Sequence, residues 1–221
     1  MLIGLLVLLH IYLFFEISSL ALISARATIN ALDVLTMLTA SYLYLLCQAF
    51  DIRALQADFN RAFVPIVEEE LFAHFGERLR GRKSQDILKS MFQTLDSTTT
   101  MDAAPRMTKV AGAAVPILMD HLTSDPFADP SALFAIPAFR ASVASRATDL
   151  LVSLRQDYLS GARGGAPASK YLNGTRPIYE FVRLTLDIRM HGSENESVFA
   201  KGLGVEDVTI GQNVSLIHEV R

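Results

Sequence analysis

The chain has 221 residues, 51% of them hydrophobic, and a formal net charge of −3. That is enough apolar material for one large core or two small ones, and the near-neutral balance removes the electrostatic case for a nucleic-acid partner, which calls for a basic face. One cysteine, Cys47, excludes an internal disulfide framework and fits a reducing compartment.

The first seventeen residues, MLIGLLVLLHIYLFFEI, open with an uncharged run from Leu2 to Phe15. Its length suits a signal-peptide hydrophobic region better than a membrane span, but no Lys or Arg precedes it and no small-x-small site follows promptly. Read on past Glu16 to Ala25, with Arg26 as a stop, the stretch becomes long enough to cross a bilayer, so hydropathy alone leaves an anchor open.

Ser18 to Leu55 is the longest apolar stretch without a helix breaker. No Gly or Pro interrupts it, Ala and Leu dominate, and the spacing predicts one helix of roughly 55 Å. Arg26, Asn30, Asp33, Tyr44, Gln48 and Asp51 recur near one stripe, with apolar side chains over most of the remaining circumference. Such a helix is covered by other helices or by lipid. Three charged groups in the stripe favour protein. Cys47 sits inside it and reads as a small buried side chain, since apolar surroundings raise a thiol pKa.

Beyond Leu55, apolar residues at Phe59, Phe63, Ile66, Val67, Leu71 and Phe72 keep helical spacing, with Pro65 predicted to interrupt it. Glu68, Glu69 and Glu70 read as a solvated acidic face; consecutive helical residues point about 100° apart and do not converge on one ion. The cluster Arg78, Arg80, Arg82 and Lys83, between glycines, reads as a loop. Asp86 to Leu95 makes a short amphipathic helix that the Ser-Thr run at 97–100 ends. Prolines at 105, 116, 126, 130 and 137 permit only short helices between Ala103 and Pro137. Phe139 to Leu159 is a longer one, and GARGGAPAS at 161–169 is the clearest linker. In the tail, Asn173 to Pro177 starts a helix that runs through Arg189. A turn follows at 191–197, then a short extended piece at Val208 to Ile210 and a last helix from Asn213 to Val220. Glycosylation sequons occur at Asn173, Asn195 and Asn213, a pattern that also arises by chance.

No constellation of reactive residues stands out. The histidines at 10, 74, 121, 191 and 218 lack metal-ligand spacing, and the glycines at 161–165 carry no Lys-Ser or Lys-Thr pair for a phosphate loop. No Gly-x-Ser-x-Gly elbow occurs. Asp120 and His121 beside Ser124 read as a helix-end polar cluster, because sequence neighbours rarely build a triad. The residues themselves therefore name no catalytic, cofactor-binding or metal site.

The runs SLALISARAT (19–28) and LTMLTASYLYLLCQAFDIRAL (35–55), with TRPIYEFVRLTLDIRM (175–190) and VTIGQNVSLIHE (208–219), resemble the aromatic amino acid and histidine ammonia-lyase family, and its fungal phenylalanine ammonia-lyases most. The likeness is close at both ends, looser between, and begins near Ile17. Upstream of it the family carries an Asn-Gln pair where this chain has Phe14 and Phe15, so residues 1–17 read as a foreign leader from a truncated or misassembled reading frame. Asp187 also stands where fungal members show Gly.

The resemblance implies an all-α fold: a core-helix region at 18–95, a helical shielding insertion at 96–165 and a carboxyl-terminal segment at 166–221. It implies membership of a cytoplasmic homotetramer that deaminates L-phenylalanine to trans-cinnamate and ammonia, with L-tyrosine to coumarate as a second reaction, and neither nucleic acid nor membrane as partner. The family builds its electrophile, a methylidene-imidazolone, from Ala-Ser-Gly. Here the Ala-Ser pairs at 40–41, 141–142, 144–145 and 168–169 are followed by Tyr42, Val143, Arg146 and Lys170. No cofactor is thus expected in this chain, and none of the family's catalytic residues falls within the match. The other reading, from the leader and the sequons, is a non-enzymatic membrane-anchored or secreted helical protein.

Overall fold

The computed structural model describes residues 2–79, 81–124, 130–192 and 209–220. Among them all regular structure is helical. In chain order come α1 (Leu2–Phe75), a 3-10 turn (Gly76–Leu79), α2 (Arg82–Ser97), α3 (Ala103–Gly112), α4 (Val115–Thr123) and a 3-10 stretch (Pro130–Ala135). Next are α5 (Ile136–Ser160), a 3-10 turn (Ser169–Tyr171), α6 (Arg176–Glu180) running into a π turn (Phe181–Thr185), and α7 (Ile210–Glu219). The chain divides into two compact units, one of Met1–Ala49, Thr175–Ile188 and Gly192–Arg221, the other of Phe50–Gly174 and Arg189–His191.

The predicted long helix is longer than its sequence stretch. α1 continues through Pro65, where the spacing predicts an interruption. An internal proline removes one hydrogen bond and crowds the carbonyl four residues back, at about 3 kcal/mol. Pro65 and Arg61 both lie on the exposed side, so that carbonyl meets water, while Phe63 and Val67 on either side are fully buried. Core packing outweighs the local defect.

Burial along α1 starts at Ala40 and then follows one seam: Ala40, Tyr44, Cys47, Asp51, Ala54 and Asp58, at alternating steps of four and three. Tyr44, Asp51 and Asp58 of the middle of α1 thus face inward, whereas Arg26, Asn30 and Asp33 of the predicted polar stripe are exposed, and Met37, Leu38, Tyr42, Leu45 and Ile52 face outward. Towards the amino end the described apolar side chains are all exposed, with Leu8, Tyr12, Phe14 and Phe15 each about two-thirds exposed or more. By length and composition this part of α1 is able to cross a membrane.

In the larger unit the core gathers Phe59, Phe63, Val67, Leu71 and Phe75 of α1 with Ile87, Met91 and Leu95 of α2, Met107 and Val110 of α3, Leu118 of α4, and Phe139, Val143 and Leu154 of α5. Aromatic pairs lock it: Phe59 stacks on Phe63 at 5.4 Å and Phe75 meets Phe139 edge-on at 5.7 Å. The basic cluster expected to be a loop is divided. Arg78 lies in the 3-10 turn and Arg82 and Lys83 open α2, after Gly81 takes the left-handed backbone (φ 72°) that an L residue resists. Arg80 lies outside the described residues.

In the smaller unit the tail departs from expectation twice. α7 begins at Ile210 rather than Asn213, because Thr209 and Gln212 form a reciprocal capping box. Val208, expected to be extended, is outside the described residues, as is most of the turn region 191–197. The helix from Arg176 ends at Thr185, not Arg189. The amide of Leu186 bonds the Phe181 carbonyl (3.1 Å) and that of Ile188 the Val182 carbonyl (3.2 Å). Asp187 between them has φ 50°, the positive-φ non-glycine among the described residues. Closing a helix this way requires a left-handed residue, which explains why Gly suits the position and why Asp, one of the few L residues to tolerate it, serves here. Asp187→Ala should therefore lower stability by about 1 kcal/mol relative to Asp187→Gly. Chemical denaturation of the two variants side by side checks this.

Candidate functional site

In the larger unit several ionisable groups converge around Asp58. This residue sits on the buried seam of α1, two turns beyond Asp51, and only 7% of its side chain is exposed. Tyr158, in the last turn of α5, donates to Oδ2 at 2.8 Å, and Arg163 donates to the same oxygen at 2.9 Å. The Lys170 ammonium donates to both oxygens, at 2.9 and 3.0 Å, and the Tyr171 hydroxyl donates to Oδ1. Arg163 also lies over the Tyr158 ring and Lys170 over the Tyr171 ring.

Burial pushes the Asp58 carboxyl up, but the bonds from Tyr171, Lys170 and Tyr158 outweigh it and hold the group down at about 2. Burial and the Asp58 charge together push the Tyr158 phenol well above its ordinary value. An ionised carboxylate saturated with donors is a poor base, and a phenol held protonated beside it is a poor acid. The arrangement is a clamp on structure rather than a proton relay.

A second cluster corrects the solvated acidic face. Glu70 is buried, and the two arms of Arg146 on α5 reach both Glu70 (2.8 Å) and Glu69 (2.7 Å). Neighbouring carboxylates pointing apart are thus spanned by one planar guanidinium, a fork that a single ion could not imitate. Burial raises the Glu70 carboxyl, and Arg146, Ser142 and His74 more than reverse it, leaving it below its usual range. His74 approaches Glu70 at 3.5 Å. Among the described residues no group of three or more His, Cys, Asp and Glu is gathered to hold a metal ion.

The other singled-out residues fall as follows. Cys47 is buried, 1% exposed. The Ser124 hydroxyl turns back to the Asp120 carbonyl at 2.6 Å, closing the end of α4, so Asp120, His121 and Ser124 form a helix end. His218 contacts Thr36 at 3.1 Å, within the smaller unit. In that unit burial raises the Tyr44 phenol, against the Arg183 charge and a hydrogen bond with Asn213. Asn213 is buried by that arrangement, which removes its sequon as a glycan acceptor in the folded chain; Asn173 is exposed and Asn195 lies outside the described residues. The Asp58 clamp was the feature that sequence reasoning missed. Its partners are 100 to 113 residues away, and the one local hint was an aspartate continuing the seam of Tyr44, Cys47 and Asp51.

No family model matches the chain. It is 58% identical over 210 residues to a phenylalanine ammonia-lyase of Strobilurus tenacellus and 53% identical over 211 residues to phenylalanine ammonia-lyase 2 of Pleurotus ostreatus; 92% of this chain is covered, against 29% and 28% of theirs. The crystal structure of phenylalanine ammonia-lyase from the yeast Rhodosporidium toruloides aligns with a TM-score of 0.73 at 31% identity, over 91% of this chain and 30% of that one. The class is therefore a helical ammonia-lyase fold, all-α as the sequence predicts. The chain belongs to the phenylalanine ammonia-lyase family, to its carboxyl-terminal part, and spans about three-tenths of the length of the curated relatives it matches.

Asp58→Asn should destabilise the chain by about 2 kcal/mol at neutral pH, from a carboxyl moved from 3.8 to about 2. Because the folded value is depressed, this stabilisation is present above about pH 4 and is lost as pH falls towards 2. Thermal unfolding between pH 5 and 2.5 should accordingly fall more steeply for the wild type than for Asp58→Asn.

Proposed function

We propose that this chain supplies the long core helix and the flanking short helices of a phenylalanine ammonia-lyase assembly, whose reaction is the non-oxidative deamination of L-phenylalanine to trans-cinnamate and ammonia. The observation that carries the reading is the 58% identity over 210 residues to a protein named for that activity. A relative from Rhodotorula toruloides, 34% identical, is named a phenylalanine/tyrosine ammonia-lyase, which supports L-tyrosine as a second substrate. A cytoplasmic homotetramer is the proposed setting. The outward-facing apolar residues of α1 support it, because a helix with Met37, Leu38, Leu45 and Ile52 in water gains by being covered.

Eliminating ammonia needs an electrophile to activate the substrate and a base to take a β-proton. The family's methylidene-imidazolone does not fit any position of this chain, whose Ala-Ser pairs are not followed by Gly. The strongly held carboxylates do not fit the base either, since Asp58 and Glu70 are both ionised and bonded to cations. In this proposal the chain's part is architectural, and the reacting groups come from sequence outside these 221 residues.

The purified 221-residue chain incubated with L-phenylalanine should yield no trans-cinnamate by chromatography; cinnamate formation would overturn the architectural reading. Extracted from cells with carbonate, the chain should leave the membrane fraction, and retention would point to an anchor instead.

A further inference from the structure

The segment between α5 and α6 is held unlike the rest of the larger unit. It leaves α5 through Gly161, at φ 78°, turns again at Gly164, at φ 88°, and residues 161–165 are all exposed. From 161 to 172 the buried side chains are Ala168 and Leu172. Backbone bonds from Gly164 to Gly161, Ser169 to Ala166, Tyr171 to Ala168 and Leu172 to Ser169 close turns inside the segment. Three of its side chains, Arg163, Lys170 and Tyr171, end on the Asp58 carboxylate of α1, beside Tyr158 at the foot of α5.

So little apolar surface gives the segment a small share of the core's stability, and segments of that kind open on their own, well below the free energy of global unfolding. We propose that residues 161–172 form a strap that opens and closes as a local unit on the larger unit, and that Asp58 is the hasp: three donors of the strap release together because they share one acceptor. Arg163 and Lys170 are one-third and one-half exposed, so their charged ends have water to go to when the strap opens, whereas Asp58 stays at the core's edge. Closure is therefore set by the charge on Asp58 and by the cations that reach it, and a change that neutralises Lys170 biases the strap open. This inference is independent of the ammonia-lyase reading, because it concerns the opening of the chain and not its reaction.

Hydrogen exchange on the full 221-residue chain tests it. In Asp58→Asn the amides of Gly164, Ser169, Tyr171 and Leu172 should exchange roughly tenfold faster or more and stay far less protected than α5 amides between Phe139 and Leu154, which speed up only as far as the loss of global stability requires. Lys170→Gln should give a smaller acceleration at the same amides, and it decides the matter alone if Asp58→Asn does not fold. Arg146→Gln, which breaks the ion pairs to Glu69 and Glu70 elsewhere in the unit, should leave the strap unchanged. Strap amides as well protected in the wild type as those of α5, no acceleration in Lys170→Gln, or opening of the strap in Arg146→Gln would each overturn the proposal.

Discussion

The inverted seam of α1 governs the rest. Where an amphipathic helix hides its oil and shows its charge, the middle of α1 buries Tyr44, Asp51 and Asp58 and leaves Leu38, Leu45 and Ile52 outside. A buried polar seam demands partners at fixed places, and the chain supplies them. Tyr44 meets Asn213 in the smaller unit, and Asp58 collects Tyr158, Arg163, Lys170 and Tyr171 in the larger. Apolar contacts tolerate sliding; a carboxylate with donors from separate segments does not. The polar groups therefore fix where the late parts of the chain return to α1, and the phenylalanines of the larger unit supply the bulk of the cohesion.

This division of labour explains what could be read from the letters. The presence of α1, though not its full extent, was legible because Ser18 to Leu55 holds no breaker, as were the proline-limited short helices before Pro137 and the glycine-rich segment after Ser160. Continuation through Pro65 was not, since propensity speaks locally and the decision rested with Phe63 and Val67, buried by helices far along the chain. The start of α7 was legible in principle: Thr209 with Gln212 three residues on is a capping signal, passed over for the β-branched run beside it. The Asp58 clamp was not legible, as nothing in a single chain announces that Tyr158 and Lys170 will meet one aspartate.

Asp187 shows the same limit from the other side. From the sequence it was a departure from a familial glycine without an explanation, and the backbone supplies one, because the position needs a left-handed residue and Asp is among those that tolerate it. The Glu69–Glu70 pair is similar. Geometry along the helix argues that adjacent carboxylates cannot share a point charge, and they do not; a flat cation with two arms reaches both.

Cys47 has one more consequence. A lone thiol on the buried seam, 1% exposed, is shielded from oxidants and from disulfide exchange between chains as long as α1 keeps its neighbours. The molecule thereby carries its own sentinel: an alkylating reagent that labels nothing in the packed state will tag the chain once that seam comes undone, without any engineered probe.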